Sequence, residues 1–301
     1  MKNPRNRGGS LPAIVVSAML LGMVSIAAQQ PALFTAGNRS VAIYATVLDK
    51  NGRLVTDLTR DDFDVKDNGK LVDLSVFSAE PQPITIAILI DTSGSMRETM
   101  PLVVSATENL IGLLLPDDRA RLGAFGDRTR FSPRFTANHA ELLQFLHKNM
   151  QAGGDTPLWS AVDFGMVYLK DIPGRRVVLV LTDGVDTTTL GHGFDAVKKR
   201  ADDEEVMIYA VGCWNGPGSG DDKPDGNLRK IADHTGGGYT ELTWQDDISA
   251  TFARVAEELH HQYVLGFTPA TFDGKVHNLD IRVKRPGLSA RARKTYMASD
   301  K

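Results

Sequence analysis

The sequence predicts an α/β fold: a doubly wound, mostly parallel sheet, joined to a small β-sandwich formed by the N- and C-terminal segments. Three observations carry this. Between residues 81 and 262, apolar β-branched runs alternate with stretches of helical periodicity, the pattern of parallel strands linked by crossover helices. Two of those runs, ITIAILI at 84–90 and RRVVLVLT at 175–182, are apolar almost throughout, as strands covered on both faces are. On either side, at 41–80 and 263–298, short strands and turns replace the alternation. Each flank is too small to hold a core alone, so we expect the two to pack together with the α/β part inserted between them.

The chain opens on Lys2, Arg5 and Arg7, then an apolar stretch at 11–28 that ends in Ser25, Ala27 and Ala28. That order predicts a secretory signal peptide over 1–28, cut near Ala27 or Ala28, and an exported protein, periplasmic or extracellular. The alternative is that 11–28 stays as a membrane anchor, since it approaches spanning length. A polar linker with Pro31 and Gly37 follows. An N-terminal β segment, 29–80, holds a strand at 41–48, a turn at Asn51-Gly52, and a short helical turn begun by Thr59. Residues 63–66 and 71–77 read as a hairpin across Asn68-Gly69. Pro81 and Pro83 mark the boundary before the central strand.

In the α/β part, 81–262, residues 99–115 have helical spacing at Leu102, Val103, Ala106, Leu110 and Leu113, and Pro116 stops the helix. Strands are expected at 121–125, 129–135 (an antiparallel edge), 175–182, 206–211 and 239–242. Helices are expected at 140–149, 158–169, 194–203, 228–234 and 246–261, the last with Ile248, Phe252, Val255 and Leu259 on one face. Asp221, Asp222 and Asp225 lie in a Gly/Pro-rich loop without the ligand spacing or closing Glu of a calcium loop, so they read as solvated. The C-terminal segment, 263–301, carries strands at 263–267, 279–283 and 290–297. Arg291, Arg293 and Lys294 on the last of these read as charges guarding an edge, or as a patch for an acidic partner.

Composition sets limits. With 301 residues, 42% hydrophobic and 24% charged, the chain can bury a full core. A net charge of −3 with no basic, aromatic-laced cluster gives no footprint for nucleic acid. A single cysteine, Cys213, excludes an internal disulfide, and its place after an apolar run reads as a small buried thiol.

The chemistry concentrates where the first central strand ends. Asp91, Ser93 and Ser95 put one carboxylate and two hydroxyls at alternate positions on a turn, an all-oxygen set suited to a hard divalent cation. Open α/β sheets place ligand sites at that edge. Asp91-Thr92-Ser93-Gly94-Ser95 resembles the D-x-S-x-S of von Willebrand factor type A domains, which carry a metal-ion-dependent adhesion site. GGDTPL at 153–158 resembles the loop supplying that family's threonine, and VVLVLTDG at 177–184 resembles its strand and T-D-G turn. The resemblance covers 81–262. It implies a Rossmann-like sheet and a metal held by Asp91, Ser93, Ser95, Thr156 and Asp183. The serines would bind directly, Thr156 and Asp183 directly or through water, and Asp91 mainly through water or by orienting the serines.

Two carboxylates against three hydroxyls would leave the cation incompletely neutralised. Such a set suits Mg²⁺, with Mn²⁺ or Ca²⁺ as alternatives, and leaves a position for an Asp or Glu of a partner protein. The function expected is a non-enzymatic, metal-dependent adhesion module. Asp155 and Asp186, beside Thr156 and Asp183, either face solvent or add negative charge that weakens recruitment of an acidic partner. One rival is a metal-assisted hydrolase using His139 or His192 as base. No H-E-x-x-H, G-x-S-x-G or Walker pattern supports it. Another is a scaffold with a vestigial site. For Asp91 taken alone, helix capping explains the turn equally well.

Overall fold

Strand-forming runs among the described residues collect into three sheets. The computed structural model describes residues 40–188, 192–213, 223–243 and 246–299. The expected signal peptide, the linker up to residue 39, and Asp221 and Asp222 lie outside the described residues.

The N-terminal segment forms β1 (Val41–Asp49), β2 (Phe63–Asp67), β3 (Lys70–Val72) and β4 (Val76–Ser78). A single 3-10 turn, Arg60–Asp62, is closed by a capping box between Thr59 and Asp62. The central strand is β5 (Ile84–Asp91). Helix α1 (Met100–Leu113) follows, then β6 (Arg119–Phe125), the two-residue β7 (Arg130–Phe131), α2 (His139–Asn149) and α3 (Leu158–Leu169). Next come β8 (Arg175–Thr182), α4 (Phe194–Asp203), β9 (Met207–Cys213), α5 (Gly226–Thr235), β10 (Tyr239–Leu242) and α6 (Ile248–His260). The chain closes with β11 (Tyr263–Phe267), β12 (Val276–Val283), β13 (Leu288–Arg291) and β14 (Thr295–Met297).

The six-stranded sheet runs β10-β9-β8-β5-β6-β7, parallel except for β7. All eight residues of β5 are buried, because helices cover both faces. Successive side chains point to opposite faces of a strand. Ile86, Ile88 and Ile90 therefore pack with Val103 and Leu110 of α1 and Phe252 and Val255 of α6. Ala87 and Leu89 face Val162 and Met166 of α3 and Val197 of α4. The order places β5 mid-sheet, with its C-terminal end between those of β6 and β8.

The two flanks supply the other sheets, β13-β1-β11-β4 and β14-β12-β2-β3. Each contains strands from both ends of the chain: β1 pairs antiparallel with β11 and β13, and β2 with β12. Their inward residues form one core, with Ile43, Ala45, Val47, Phe63 and Val65 from the first flank and Tyr263, Leu265, Phe267, Leu279 and Tyr296 from the second. Asn68 and Gly69 both have positive φ, 46° and 82°, as a type I′ turn between β2 and β3 requires.

Two expected strands turn out to be broken. Residues 71–77 do not continue one hairpin arm. β3 stays beside β2, whereas β4 crosses to the other sheet and pairs with β11, with Ser75 N–H donating to Gly266 O at 2.7 Å. Residues 290–297 divide in the same way into β13 and β14. Between them the backbone is drawn to the end of α5, where Lys294 N–H donates to His234 O at 3.0 Å. Gly236 permits this approach: it has φ 80°, and a Cβ there would lie 2.3 Å from Arg293 N. Arg291 does end an edge strand, β13, but neither its charge nor that of Arg293 is left free. Arg291 pairs with Glu258 of α6, and Arg293 with Glu205 at 3.1 Å, so the acidic partners lie within the chain. The antiparallel edge strand is also shorter than expected, with a separate bridge from Ala120 to Thr136.

Ile43 and Leu265 face each other in register and both are fully buried. Ile43→Ala and Leu265→Ala should each lower the stability of the sandwich by about 2–5 kcal/mol. The double variant should lose less than the sum, since the two share one cavity. Urea unfolding midpoints of the four proteins measure this.

Candidate functional site

The five oxygen-bearing residues singled out from the sequence converge at the C-terminal edge of the six-stranded sheet. Asp91 ends β5 and is fully buried. Its Oδ1 accepts from the backbone N–H of Ser93 at 2.8 Å, and its Oδ2 from the Thr182 hydroxyl at the end of β8 at 2.5 Å. Ser93 and Ser95 hydroxyls are 3.1 Å apart, and Ser95 donates to Asp183 Oδ1 at 2.9 Å. A hydroxyl chain thus links the turn after β5 to the turn after β8, 88 residues later.

Thr156 arrives on a loop with no strand of its own, and backbone hydrogen bonds place it. Gly153 N–H donates to Thr92 O at 2.7 Å, Gly94 N–H to Gly154 O at 3.2 Å, and Asp127 N–H to Gly153 O at 2.9 Å. These contacts leave no room for side chains at two positions. A Cβ on Gly126 would sit 2.7 Å from Thr92 O, and one on Gly154 (φ 81°) 2.4 Å from Asp127 Cα. On the other side, Thr156 N–H donates to the Thr187 hydroxyl at 2.8 Å, and Thr187 N–H returns to Thr156 O at 3.1 Å. The Thr156 hydroxyl lies against Gly184, 3.6 Å from where a Cβ would stand, next to Asp183.

Two carboxylates buried this closely are electrostatically unfavourable unless something positive joins them. Burial pushes the Asp91 carboxyl up to about 6, opposed by the hydrogen bonds from Thr182 and Ser93, and the Asp183 charge adds to the rise. Among the described residues, no group of three or more His, Cys, Asp and Glu side chains could hold a metal. A cation here would need the hydroxyls of Ser93, Ser95 and Thr156 alongside the two carboxylates. That mixed all-oxygen set fits a hard divalent ion, which takes neutral and anionic oxygens together.

The neighbouring candidates have other roles. Asp186 is turned to its own loop and to α3: Oδ2 accepts from Trp159 N–H at 2.8 Å, and Oδ1 from Thr188 N–H at 2.8 Å. Asp155 is exposed. His192 is tied to Asp163 of α3 at 2.7 Å, whose other oxygen accepts from Arg200 Nε at 2.6 Å. His139 sits on the first turn of α2. Cys213 is a buried thiol pushed up to about 12, first by burial and then by the nearby Asp183 and Asp91 charges, so it stays protonated.

Thr182 was not singled out from the sequence, although its hydroxyl touches both the buried carboxylate and, as an acceptor at 3.2 Å, Gly184 N–H. A threonine closing an apolar run reads as a strand former. The available signal was its place immediately before Asp183-Gly184.

The sequence profile of the von Willebrand factor type A domain matches residues 85–252. Among solved structures, a von Willebrand factor type A protein from Catenulispora acidiphila aligns over 90% of this chain and 78% of its own, with 14% identity and a TM-score of 0.52. Proximal thread matrix protein 1 from the mussel byssus, solved with a zinc-occupied MIDAS motif, aligns over 63% of this chain and 48% of its own, with 18% identity and a TM-score of 0.52. The conserved hypothetical protein BatB from Bacteroides thetaiotaomicron aligns over 58% and 97%, with 16% identity and a TM-score of 0.47. No curated protein matches the sequence.

Because the Asp91 carboxyl is raised in the native state, the folded protein holds a proton that the unfolded chain, with a carboxyl near 3.8, releases earlier. The stability this proton contributes is fully present below about 3.8 and is lost as pH rises through about 6, roughly 3 kcal/mol in all. Urea unfolding in EDTA from pH 4 to 7 should show this fall, and it should be missing in Asp91→Asn.

Proposed function

As the chain belongs to the von Willebrand factor type A domain family, we propose that it is a protein-binding module that grips an acidic side chain of its partner through a divalent cation. Asp91, Ser93, Ser95, Thr156 and Asp183 would hold the ion. The observation that carries this reading is the hydroxyl chain from Ser93 through Ser95 to Asp183, ending beside a second buried carboxylate. Mg²⁺ suits the balance of three hydroxyls to two carboxylates, with Mn²⁺ and Ca²⁺ as alternatives.

When bound, the cation supplies positive charge, incompletely neutralised, that attracts an anionic oxygen. The chain's own residues supply the positions. Asp91, held by Thr182 and the Ser93 amide, fixes the turn on which both serines ride. The backbone bonds from Thr92 and Gly94 to the 153–154 loop fix Thr156. Ser95 is exposed, so the site opens to solvent where a partner would approach. Asp155, also exposed, sets a negative charge at that rim and would select partners whose acidic residue is flanked by basic ones.

Hydrolysis has less support. The histidine best placed on a nearby loop is engaged by Asp163, and that carboxylate by Arg200. Export through residues 1–28 fits a surface adhesion role. Among the described residues, no helix is long and apolar enough to cross a membrane.

Mn²⁺ titrated into the native protein by calorimetry should bind at one site. Binding should be lost in Asp91→Ala and Asp183→Ala and weakened by about 10–100-fold in Thr182→Val, which only orients a ligand. Partner capture from an envelope fraction in Mg²⁺ should disappear in EDTA and in Asp91→Ala, with circular dichroism unchanged. Capture that survives both would overturn the reading.

A further inference from the structure

Beside the turn that carries Ser93 and Ser95, a groove of about 690 Å³ leads away between α1 and the end of α2, open to solvent along its length. One wall is α1 with the 3-10 turn before it, where Arg97, Pro101, Val104 and Glu108 recur every three or four residues and so share a face. The other wall is Met150 to Ala152, where α2 gives way to the loop of Thr156. Met100 and Met150 are buried beneath it, and Val104 and Ala152 are half-buried. Methionine is unbranched and adaptable, so such a floor reshapes to different apolar side chains.

The groove starts where the site's own backbone is fixed. Arg97 ends the Gly94–Arg97 turn, two residues after Ser95. Ala152 adjoins Gly153, whose N–H donates to Thr92 O at 2.7 Å, and Gly154 O accepts from Gly94 N–H at 3.2 Å. A chain lying in the groove would therefore reach the hydroxyls of Ser93 and Ser95 with its end.

Charge and length narrow the occupant. At the mouth, Arg97 is exposed and has no carboxylate within ion-pair distance among the described residues. At the far end, Glu108 is engaged by His147 of α2, Oε1 lying 2.5 Å from Nε2. Asp155 is no part of the lining, so any basic flank it favours falls on the other side of the bound acid. Arg97 to Glu108 spans about 16 Å at 1.5 Å per helical residue, which an extended chain covers in about five residues. Alternate side chains of such a chain point the same way, so two of them can lie on the floor together. A basic segment would meet the like charge of Arg97, and a polar one would cover the methionines without gain.

We propose that this groove receives an extended segment of the partner protein, about five residues long, acidic at the end nearest the cation and carrying large aliphatic side chains at alternate positions beyond it. The inference rests on the adhesion reading and adds to it the class of sequence recognised.

The probes are capped, fluorescently labelled peptides: Asp-Ser-Leu-Ser-Leu and its reverse, Asp-Ser-Ser-Ser-Ser, and Lys-Ser-Leu-Ser-Leu. Anisotropy titrations against the native protein in Mn²⁺ should show the first sequence, in one of its two chain directions, binding about tenfold or more tighter than the other two. Ser105→Trp fills the groove from an exposed position on its wall and should remove that advantage while calorimetric Mn²⁺ binding stays native. Arg97→Glu, also exposed, should weaken the acidic peptide about tenfold, and serves where the tryptophan variant fails to fold. Absence of Mn²⁺ binding by the native protein would sink the cation reading and this inference with it. Native Mn²⁺ binding with no preference for the apolar acidic peptide, or a preference that both variants keep, would overturn the groove alone. So would self-association of the native protein in sedimentation that Ser105→Trp disperses, since a second copy would then be the occupant.

Discussion

The site depends on one buried carboxylate. Asp91 closes a strand buried along its whole length, and nothing about a hydrophobic core favours a charge there. It is tolerated because two donors meet it: the Thr182 hydroxyl from the adjacent parallel strand and the Ser93 amide from its own turn. The first bond exists only when β5 and β8 are in register, so correct sheet formation and correct site geometry are one event. Once Asp91 is fixed, the turn is fixed, and Ser93 and Ser95 have one direction in which to point. Asp183 then receives the Ser95 hydroxyl, and the loop carrying Thr156 is bonded to the same turn. The family's fold places the parts, and this bond aligns them.

Much of this could be read from the chain because strand ends are conspicuous. Asp91 and Asp183 each follow an apolar run, and two glycines precede Thr156 by two and three positions. Sequence reasoning failed where tertiary pairing overrode local pattern. Residues 71–77 contain no Gly or Pro, and Asp73 and Ser75 fall at alternate positions, as the polar face of a continuous strand would have them. Only the competing edge of β11 explains why β4 leaves β3. The edge position of Arg291 was legible, but its pairing with Glu258, and that of Arg293 with Glu205, was not, because those acids lie far back in the sequence. Arg175 and Arg176 were read simply as the start of a strand, and nothing local announced that both would line a cavity.

The six-stranded sheet is chemically polarised along its strands. Carboxylates and hydroxyls gather where β5 and β8 end, and guanidiniums where β8 begins. β8 takes part in both, with Arg175 at one terminus and Thr182, followed by Asp183, at the other. The apolar middle of a strand eight residues long thereby separates the two polar ends. The sandwich meets the sheet at the guanidinium edge, through Ala42 and Tyr44 of β1.

The chain enters the α/β part from β4 and leaves it into β11, and these two strands are hydrogen-bonded neighbours. Tension applied between the chain's outer ends therefore passes through the sandwich ladders and leaves the insertion slack. Under such a load the six-stranded sheet would stay intact until the sandwich ruptures, which makes the flanks a strain relief for the domain between them.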